Sequence, residues 1–258
     1  MKFDELEAKM RPYETASDRC VPPGLFMVAR MDGRGFTRLT KVRNDFDTPF
    51  DPRVRDVMIA TTDHLMNCGF HVSYGYAQSD EISLLFRMDE ATFGRKLRKF
   101  ISVLAGEASA KFTLLIGELA CFDCRISELP GADLVVDYFR WRQEDAARNA
   151  LSAHAYWALR RAGDSASAAA SKLNGMGPAD KHELLYSFGI NFNELPAWQR
   201  RGTGLYWERY ERDAVNPRTG EVVHALRRRI KVDFELPMKD DYEAFVRERA
   251  ARALDPEG

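Results

Sequence analysis

The sequence predicts an α+β fold in which an antiparallel sheet of ferredoxin-like βαββαβ order is followed by a C-terminal region of helices and a β-hairpin. Three observations predict this fold. Four short apolar runs are typical of strands, two helical patterns lie between them in the required order, and the chain changes character near residue 138. We therefore divide the chain into a sheet-containing domain, residues 1–137, and a C-terminal region, residues 138–258.

The first half of the chain carries six predicted elements. Runs rich in β-branched and aromatic residues favour strands, and Asp51-Pro52 offers an N-cap followed by a proline at the first helical position. Apolar residues spaced by three and four predict two amphipathic helices. In chain order the elements are a strand at 25–31, a helix from Pro52 to Gly69, strands at 70–77 and 82–86, a helix over 93–112, and a strand at 119–126.

The second half predicts further helices and one hairpin. Its alanine-rich segment is short enough to continue a helix, and a glycine-rich break separates it from the next one. A stretch containing proline and glycine is expected to connect the two hairpin strands. The elements are a helix at 141–161, the alanine-rich segment at 165–171, a helix from Pro178, and strands within 202–212 and 224–234 joined through 216–220.

The predicted topology brings acidic positions together. In a βαββαβ sheet the third strand lies between the first two and runs antiparallel to the first. Asp32 follows the first strand and Asp80-Glu81 precede the third, so these carboxylates meet at one end of the sheet. Paired carboxylates suit hard divalent ions such as Mg²⁺, and the backbone carbonyl of Gly33 could complete the ligand shell. A second interpretation stays open, because aspartate is also common in turns.

The composition is that of a soluble globular protein. Apolar residues make up 45% and charged residues 30% of the chain, and there is no apolar run of the roughly 18 residues that would predict a membrane span. The charged amino-terminal segment is unlike a signal peptide, so we expect a cytoplasmic protein.

The formal net charge of −1 means that any nucleic-acid surface must be local. Clusters of basic residues provide candidates, although each could equally be an ordinary solvated face. The clusters are Arg95-Lys96 with Arg98-Lys99, Arg200-Arg201, and Arg227-Arg228-Arg229 with Lys231.

Cys121 and Cys124 form a C-x-x-C pattern that could indicate a zinc or redox site. The surrounding residues favour a strand, in which positions three apart point to opposite faces. A zinc site would also need two more ligands, and no second such pair occurs. We therefore expect no functional thiol pair.

Two motifs carry a family resemblance. Residues 30–36, RMDGRGF, resemble the R-x-D-G-R-x-F signature of the tRNA-histidine guanylyltransferase family, which adds nucleotides in the 3′-to-5′ direction. Residues 74–81, YGYAQSDE, are similar to the second motif of that family. The resemblance covers nearly the whole chain, because further similar segments follow in order: Phe122-Asp123-Cys124-Arg125, Trp141-Arg142-Gln143, Ala179-Asp180-Lys181, Asn193-Glu194-Leu195-Pro196 and Arg201-Gly202-Thr203.

The resemblance implies a palm-like catalytic domain over 1–137, similar to that of ordinary polymerases, and a C-terminal region that contributes tRNA binding and assembly. It implies that Asp32, Asp80 and the Gly33 carbonyl bind two Mg²⁺ ions, with Glu81 supporting the catalytic site. The implied nucleotide-binding residues are Asp32, Gly33, Arg34, Gly35, Phe36, Thr37, Ser79, Asp80, Lys96 and Lys99, with the two lysines on the triphosphate of the activating nucleotide. The implied tRNA contacts are Asn149, Lys181, Arg200 and Arg201.

The chemistry that the resemblance implies has two stages. ATP first adenylylates the 5′-monophosphate of a tRNA, and the 3′-hydroxyl of GTP or another nucleoside triphosphate then attacks the activated phosphate, releasing AMP. Positioned positive charges suit both stages, because both spread negative charge over phosphate oxygens. The resemblance also suggests a homotetramer built as a dimer of dimers.

Two departures from the eukaryotic members favour one branch of the family. Those members carry His-Ile-Asn where this chain has Ala147-Arg148-Asn149, and a lysine where this chain has Thr48. Both changes resemble the bacterial and archaeal like-protein branch, which repairs 5′-truncated tRNA by template-dependent addition.

Three alternatives to tRNA repair stay open. One is guanylylation of tRNA-histidine at its 5′ end, within the same family. The others are a nucleotidyl cyclase with the same palm, and an RNA-binding module that has lost catalysis.

Overall fold

The computed structural model describes residues 2–36, 38–39, 46–215, 218 and 222–254. Thr37, one of the implied nucleotide contacts, lies outside the described residues. The hairpin connection expected at 216–220 also lies outside them, apart from Arg218.

The first half of the chain has the predicted order of elements. A helix that the sequence analysis did not predict, α1 (Phe3–Thr15), precedes it and contains no buried residue. A short 3₁₀ turn, Thr92–Arg95, leads into the second long helix. The elements are β1 (Phe26–Gly33), α2 (Pro52–Asn67), β2 (Val72–Gln78), β3 (Glu81–Phe86), α3 (Leu97–Ile116) and β4 (Phe122–Leu129).

The second half is helical except for one long hairpin. Helix α4 begins at Ala132 instead of 141, because its first turns bury Val135, Val136 and Phe139 against the sheet. A C-terminal helix that was not predicted closes the described chain. The elements are α4 (Ala132–Arg161), α5 (Ala166–Leu173), α6 (Pro178–Ser187), a 3₁₀ turn Phe192–Glu194, α7 (Ala197–Arg201), β5 (Thr203–Val215), β6 (Val222–Asp233) and α8 (Asp240–Arg252).

The six strands form one antiparallel sheet in the order β4-β1-β3-β2-β5-β6. Strand β3 lies between β1 and β2, which confirms the predicted ferredoxin-like arrangement. The C-terminal hairpin is not a separate sheet, because β5 pairs with β2 from Tyr74↔Tyr206 to Ala77↔Thr203. The two halves of the chain therefore share one sheet.

Helices cover both faces of this sheet. Side chains alternate along a strand, so Met27 of β1 packs with Phe112 of α3, whereas Val28 packs with Phe139 of α4. Asp32 continues the alternation of Val28 and therefore lies on the α4 side. None of the described helices is both long and apolar enough to cross a bilayer.

Candidate active site

The end of β1 and the turn between β2 and β3 lie side by side. Asp32 is the register partner of Glu81, and the Gly33 amide donates a hydrogen bond of 3.0 Å to the Asp80 carbonyl. Only Ser79 and Asp80 connect β2 to β3, because Gln78 already pairs with Glu81. The predicted convergence of the acidic residues is thus present at one end of the sheet.

Ser79 allows the chain to reverse in this short connection. Its φ of 52° lies in the left-handed region, which is uncommon for a residue with a side chain. Burial raises the pKa of the Asp80 carboxyl, and a hydrogen bond with the Ser79 side chain offsets a small part of that rise. Ser79 therefore shapes the turn and contacts the carboxylate.

Gly33 and Phe36 explain the spacing of the first motif. A Cβ atom at Gly33 would lie 2.4 Å from Cδ2 of the Phe36 ring, so only glycine fits. The Phe36 ring packs against Phe112 at 4.9 Å and Phe122 at 5.1 Å between centroids. Phe36 is buried and anchors the loop after β1 to the core. Gly35, with a φ of +74°, makes the turn that this anchoring requires.

Glu81 is held by an arginine of helix α4. Arg142 donates two hydrogen bonds to its carboxylate, from Nε at 2.7 Å and from Nη2 at 2.8 Å. Nη2 of Arg142 also donates to Asp145 at 3.0 Å, and Nη1 of Arg30 lies 3.7 Å from Glu81. Burial lowers the pKa of Arg142, but the charges and hydrogen bonds of its acidic partners together outweigh burial, so the net pKa is raised. Glu81 is therefore an ion-paired residue beside Asp32.

Asp32 and Asp80 have no such partner. No ion pair involves either carboxylate within the described part of the chain. Burial raises the pKa of Asp80, and the charge of Asp32 raises it further. A cation between the two carboxylates would relieve both effects.

The residues present fit a magnesium site. Mg²⁺ commonly uses one or two carboxylates together with substrate phosphates and water, and the adjoining Gly33 carbonyl adds an oxygen. No group of three or more histidine, cysteine, aspartate or glutamate side chains suited to a metal occurs among the described residues. The two-carboxylate set therefore favours a hard ion that keeps several non-protein ligands.

Cys121 and Cys124 are free thiols.

A large cavity opens beside Asp80. Its volume is about 810 Å³, within the range of roughly 300–1,000 Å³ that is typical of small-molecule sites. One wall is the β2–β3 turn, and the others come from α2, the segment before it, and α4. The lining residues include Phe36, Phe46, Asp47, Thr48, Phe50, Met58, Gln78, Ser79, Asp80, Ser152, Tyr156, Trp157 and Trp198.

Lys96 and Lys99 are not close to this site within one chain. They lie where α3 begins, and Lys96 forms a β-bridge with Cys20, which precedes β1. The Nζ atom of Lys96 lies 3.3 Å from a carboxylate oxygen of Asp18. The aspartate pair lies at the opposite end of β1, a strand of eight residues or about 25 Å. Their role as nucleotide contacts stays a prediction.

The four implied tRNA contacts are on or near α4 and have different surroundings. The Asn149 amide donates to Asp145 at 3.1 Å, and Lys181 donates to Ser152 at 3.0 Å. Arg200 is buried, and its Nε donates to the Leu195 carbonyl at 2.9 Å. The guanidinium of the fourth, Arg201, donates to the carbonyl of residue 236 at 3.0 Å. The assignment of these residues to tRNA also stays a prediction.

Two features of the site were not predicted: the ion pair between Arg142 and Glu81, and the aromatic side chains of α4 that line the cavity. Arg142 belongs to the motif Trp141-Arg142-Gln143, but its partner on β3 could not be identified from the motif alone. Tyr156 and Trp157 lie in the same helix, and their aromatic character was the one available signal.

The position of the carboxylate pair on this sheet places the chain in the class of palm-fold nucleotidyltransferases. Comparison with known families then gives a specific result. The family model described as tRNAHis guanylyltransferase matches residues 7–130, and the model described as Thg1 C terminal domain matches residues 133–242. The chain belongs to the tRNA-histidine guanylyltransferase family.

Relatives and solved structures agree with this membership. The chain is 35% identical to the probable tRNA(His) guanylyltransferase of Drosophila melanogaster over 202 residues, covering 74% of this chain and 70% of that protein. The chain is 32% identical to the probable tRNA(His) guanylyltransferase of Homo sapiens over 214 residues, covering 78% of this chain and 70% of that protein.

Similar structures extend over almost the whole chain. A bacterial tRNA(HIS) guanylyltransferase (Thg1)-like protein in complex with GTP has a TM-score of 0.75 and 31% identity, covering 96% of this chain and 99% of that one. A bacterial protein of the same description in complex with ATP has a TM-score of 0.74 and 30% identity, covering 95% of this chain and 99% of that one.

Proposed function

We propose that this protein repairs 5′-truncated tRNA by adding nucleotides in the 3′-to-5′ direction, with the opposite strand as template. The observation that carries the proposal is the carboxylate pair at the sheet end beside a cavity of about 810 Å³. Family membership supports nucleotide addition at the 5′ end of tRNA. The likeness to bacterial like-proteins that bind GTP and ATP supports nucleoside triphosphates as substrates.

The nucleotide is proposed to occupy the cavity next to Asp80. Its size suits a nucleotide, and the aromatic rings of Tyr156 and Trp157 offer faces on which a base can stack. Ser79 and Gln78 supply polar groups at the same wall. Residues of helices α2 and α4 line the rest of the cavity.

Asp32, Asp80 and the Gly33 carbonyl would hold Mg²⁺. When bound, Mg²⁺ supplies positive charge that stabilises the phosphate oxygens in nucleotidyl transfer. The protein contributes a fixed frame: the hydrogen bond from Gly33 to Asp80 joins the two strand ends, and Arg142 holds Glu81 in place beside Asp32. Such a frame reduces the reorganisation that the transition state requires.

The reaction proposed at this site has two steps. The 5′-monophosphate of the tRNA attacks ATP, forming an adenylylated 5′ end and pyrophosphate. The 3′-hydroxyl of the incoming nucleotide then attacks that phosphate, and AMP leaves. A tRNA that already carries a 5′-triphosphate would need only the second step.

Repair is favoured over dedicated guanylylation of tRNA-histidine by Ala147. This alanine on α4 has no hydrogen-bonding group with which to read a tRNA, whereas eukaryotic members have histidine there. Watson–Crick pairing with the opposite strand can select the incoming nucleotide without any such side chain.

We also propose that the protein acts as a homotetramer, a dimer of dimers.

For each of several tRNA species, the test uses four 5′-truncated forms that differ only in the base opposite the missing nucleotide. Full-length tRNA-histidine is added as a competing substrate. With Mg²⁺, ATP and all four nucleotides, we expect addition on several tRNA species, with the added base complementary to the template. Guanosine opposite adenosine should be added poorly. A strong preference for full-length tRNA-histidine, with non-templated addition of guanosine, would instead support the guanylylation alternative.

A further inference from the structure

A second, smaller cavity lies at the end of the sheet opposite the aspartate pair. It has a volume of about 240 Å³ and opens between the start of β2, the β5–β6 hairpin and α8. Four arginines line it: Arg87, Arg228, Arg249 and Arg252. None of its described lining residues is acidic.

Arg249 is the innermost of these arginines. It is only 7% exposed, and its guanidinium carbon stacks over the rings of Tyr206 at 4.2 Å and Phe245 at 4.4 Å. A carboxylate oxygen of Glu248 lies 3.1 Å from Nη1. Nevertheless, no described group accepts a hydrogen bond from Nε or Nη1. Nη1 is thus served only by the ion pair with Glu248, and Nε remains a buried donor without an acceptor, which is costly. A small anion beside this guanidinium in the cavity would offset that cost.

The other three arginines of the cavity differ in whether a carboxylate pairs with them. Arg228 has no carboxylate partner among the described residues, and its guanidinium lies over the Trp207 ring at 4.5 Å. Arg252 donates to Glu248 at 2.6 Å, and Arg87 donates to Asp89 at 2.8 Å. Each of these carboxylates lies outside the cavity lining.

One further carboxylate lies near the rim. The buried Glu90 accepts hydrogen bonds from the backbone amides of His71 and Thr92, at 2.5 Å and 2.6 Å. Its oxygens are therefore already engaged by donors. The cavity itself presents arginine donors with no acid among them.

We propose that this arginine cavity is a phosphate-binding site, distinct from the catalytic site. Arginine is suited to phosphate because its planar guanidinium offers several donors in a fixed geometry. A volume of about 240 Å³ is below the range of roughly 300–1,000 Å³ typical of pockets for drug-sized ligands. This size matches a phosphate or pyrophosphate group better than a whole nucleotide. The phosphate is either free or part of an RNA backbone.

This inference is independent of the proposed catalytic activity, since Asp32 and Asp80 lie at the other end of the sheet. Its test compares two matched double variants of the full chain. The cavity variant is Arg228→Gln with Arg252→Gln, and the control is Arg229→Gln with Arg247→Gln. Both pairs remove one charge from β6 and one from α8. The two control arginines pair with Glu208 and Asp133 and do not line the cavity.

Pyrophosphate binding is measured by calorimetry in EDTA, which prevents metal-dependent binding at the aspartate pair. We expect the wild-type and control proteins to bind with similar affinity and the cavity variant to lose at least about 10-fold. Circular dichroism checks that both variants are folded. No measurable binding by the wild type, or equal affinity in the cavity variant, would overturn the proposal.

A second measurement distinguishes the two sources of phosphate. The affinity for tRNA is determined as a function of salt concentration for the same three proteins. An RNA backbone in the cavity should give a shallower slope of log affinity against log salt in the cavity variant, by about one to two units, than in the control. Equal slopes, together with the lost pyrophosphate binding, would support the site and identify free phosphate as its ligand.

Discussion

At the scale of single residues, the contact between Arg142 and Glu81 connects the C-terminal half of the chain to the proposed active site. Both side chains are largely buried, with 9% and 14% of their surface exposed. Removing one partner would leave a charge in a site shielded from water. Leaving one buried charge without its partner typically destabilises a protein by more than the intact pair stabilises it.

We therefore expect Arg142→Gln to lower the free energy of unfolding by about 3 kcal/mol and to impair nucleotide addition. Urea unfolding and single-turnover addition would measure the two effects. The matched variant is Glu81→Gln, which removes the other charge. If the two changes combined in one chain were as costly as their sum, Arg142 would not act through Glu81.

Gly33→Ala tests the packing that explains the first motif. The new methyl group would lie 2.4 Å from the Phe36 ring, so the ring must move from its place between Phe112 and Phe122. We expect a loss of about 1–3 kcal/mol in the free energy of unfolding.

The control for this change is Gly106→Ala. Gly106 lies within α3, and a Cβ atom there would have no neighbour within 4 Å. That variant should be neutral, or more stable by up to about 1 kcal/mol. Equal unfolding free energies for the two variants would show that Phe36 does not require glycine at position 33.

The meeting of the Asp32 and Asp80 carboxylates could be predicted from the sequence, because strand order fixes which strand ends are neighbours. Asp32 and Asp80 needed only the order of elements and the antiparallel direction of the third strand. The partner of Glu81 could not be predicted in this way. Arg142 lies 61 positions further along the chain and reaches β3 only through the packing of α4 on the sheet.

At the scale of elements, helix α2 begins with a buried carboxylate. Asp51 accepts hydrogen bonds at 2.7 Å from the backbone amides of Arg53 and Asp47. The pKa of Asp51 is lowered from 3.8 to about 2, mainly by hydrogen bonds from the Arg53 side chain. Because the pKa is lower in the folded state, the ionised carboxylate stabilises the fold above about pH 4, and this stabilisation disappears as the pH falls through 2.

Asp51→Asn should therefore be less stable than the wild type near neutral pH. We expect a difference of about 1–2 kcal/mol, reduced by solvent around the half-exposed Arg53. The difference should shrink as the pH falls from about 4 to about 2, as measured by denaturant unfolding. Asp56→Asn is the control, since Asp56 is an exposed acid of the same helix. A difference that does not change with pH would mean that the carboxylate charge is not what stabilises the start of α2.

The elements of the sheet could largely be predicted, and the elements around it could not. The strands of the first half have apolar runs because both faces of the sheet are buried. Helix α1 contains no buried residue, so it lacks the pattern from which a core helix is predicted. The pairing of β5 with β2 also leaves no local signal, because register between distant strands depends on the assembled fold.

At the scale of the whole molecule, the two proposed sites lie at opposite ends of the sheet. The aspartate pair and the large cavity lie at one end, and the arginine cavity and the start of α3 lie at the other. If Lys96 and Lys99 hold the triphosphate of the activating ATP, the lysines of one protomer must serve the aspartates of another. The proposed tetramer would permit such sharing.

Lys96→Ala combined with Lys99→Ala tests this role. The variant should use 5′-monophosphorylated tRNA less well than 5′-triphosphorylated tRNA, because only the former needs activation by ATP. The ratio of the two initial rates is compared with that of the wild type. An equal loss on both substrates would assign the lysines to tRNA or to the incoming nucleotide.

In the proposed mechanism, Asp32 and Asp80 are both required for activation and for nucleotide addition. This requirement is tested by measuring activation and nucleotide addition in Asp32→Ala and Asp80→Ala, with 5′-truncated tRNA and Mg²⁺. Asp133→Ala serves as control, because Asp133 is an exposed aspartate at the start of α4.

We expect both site variants to fold normally and to lose at least about 100-fold in each step, because each removes a carboxylate that would hold the metal. The control should stay within about two-fold of the wild type. Near-normal turnover in either site variant would contradict the account.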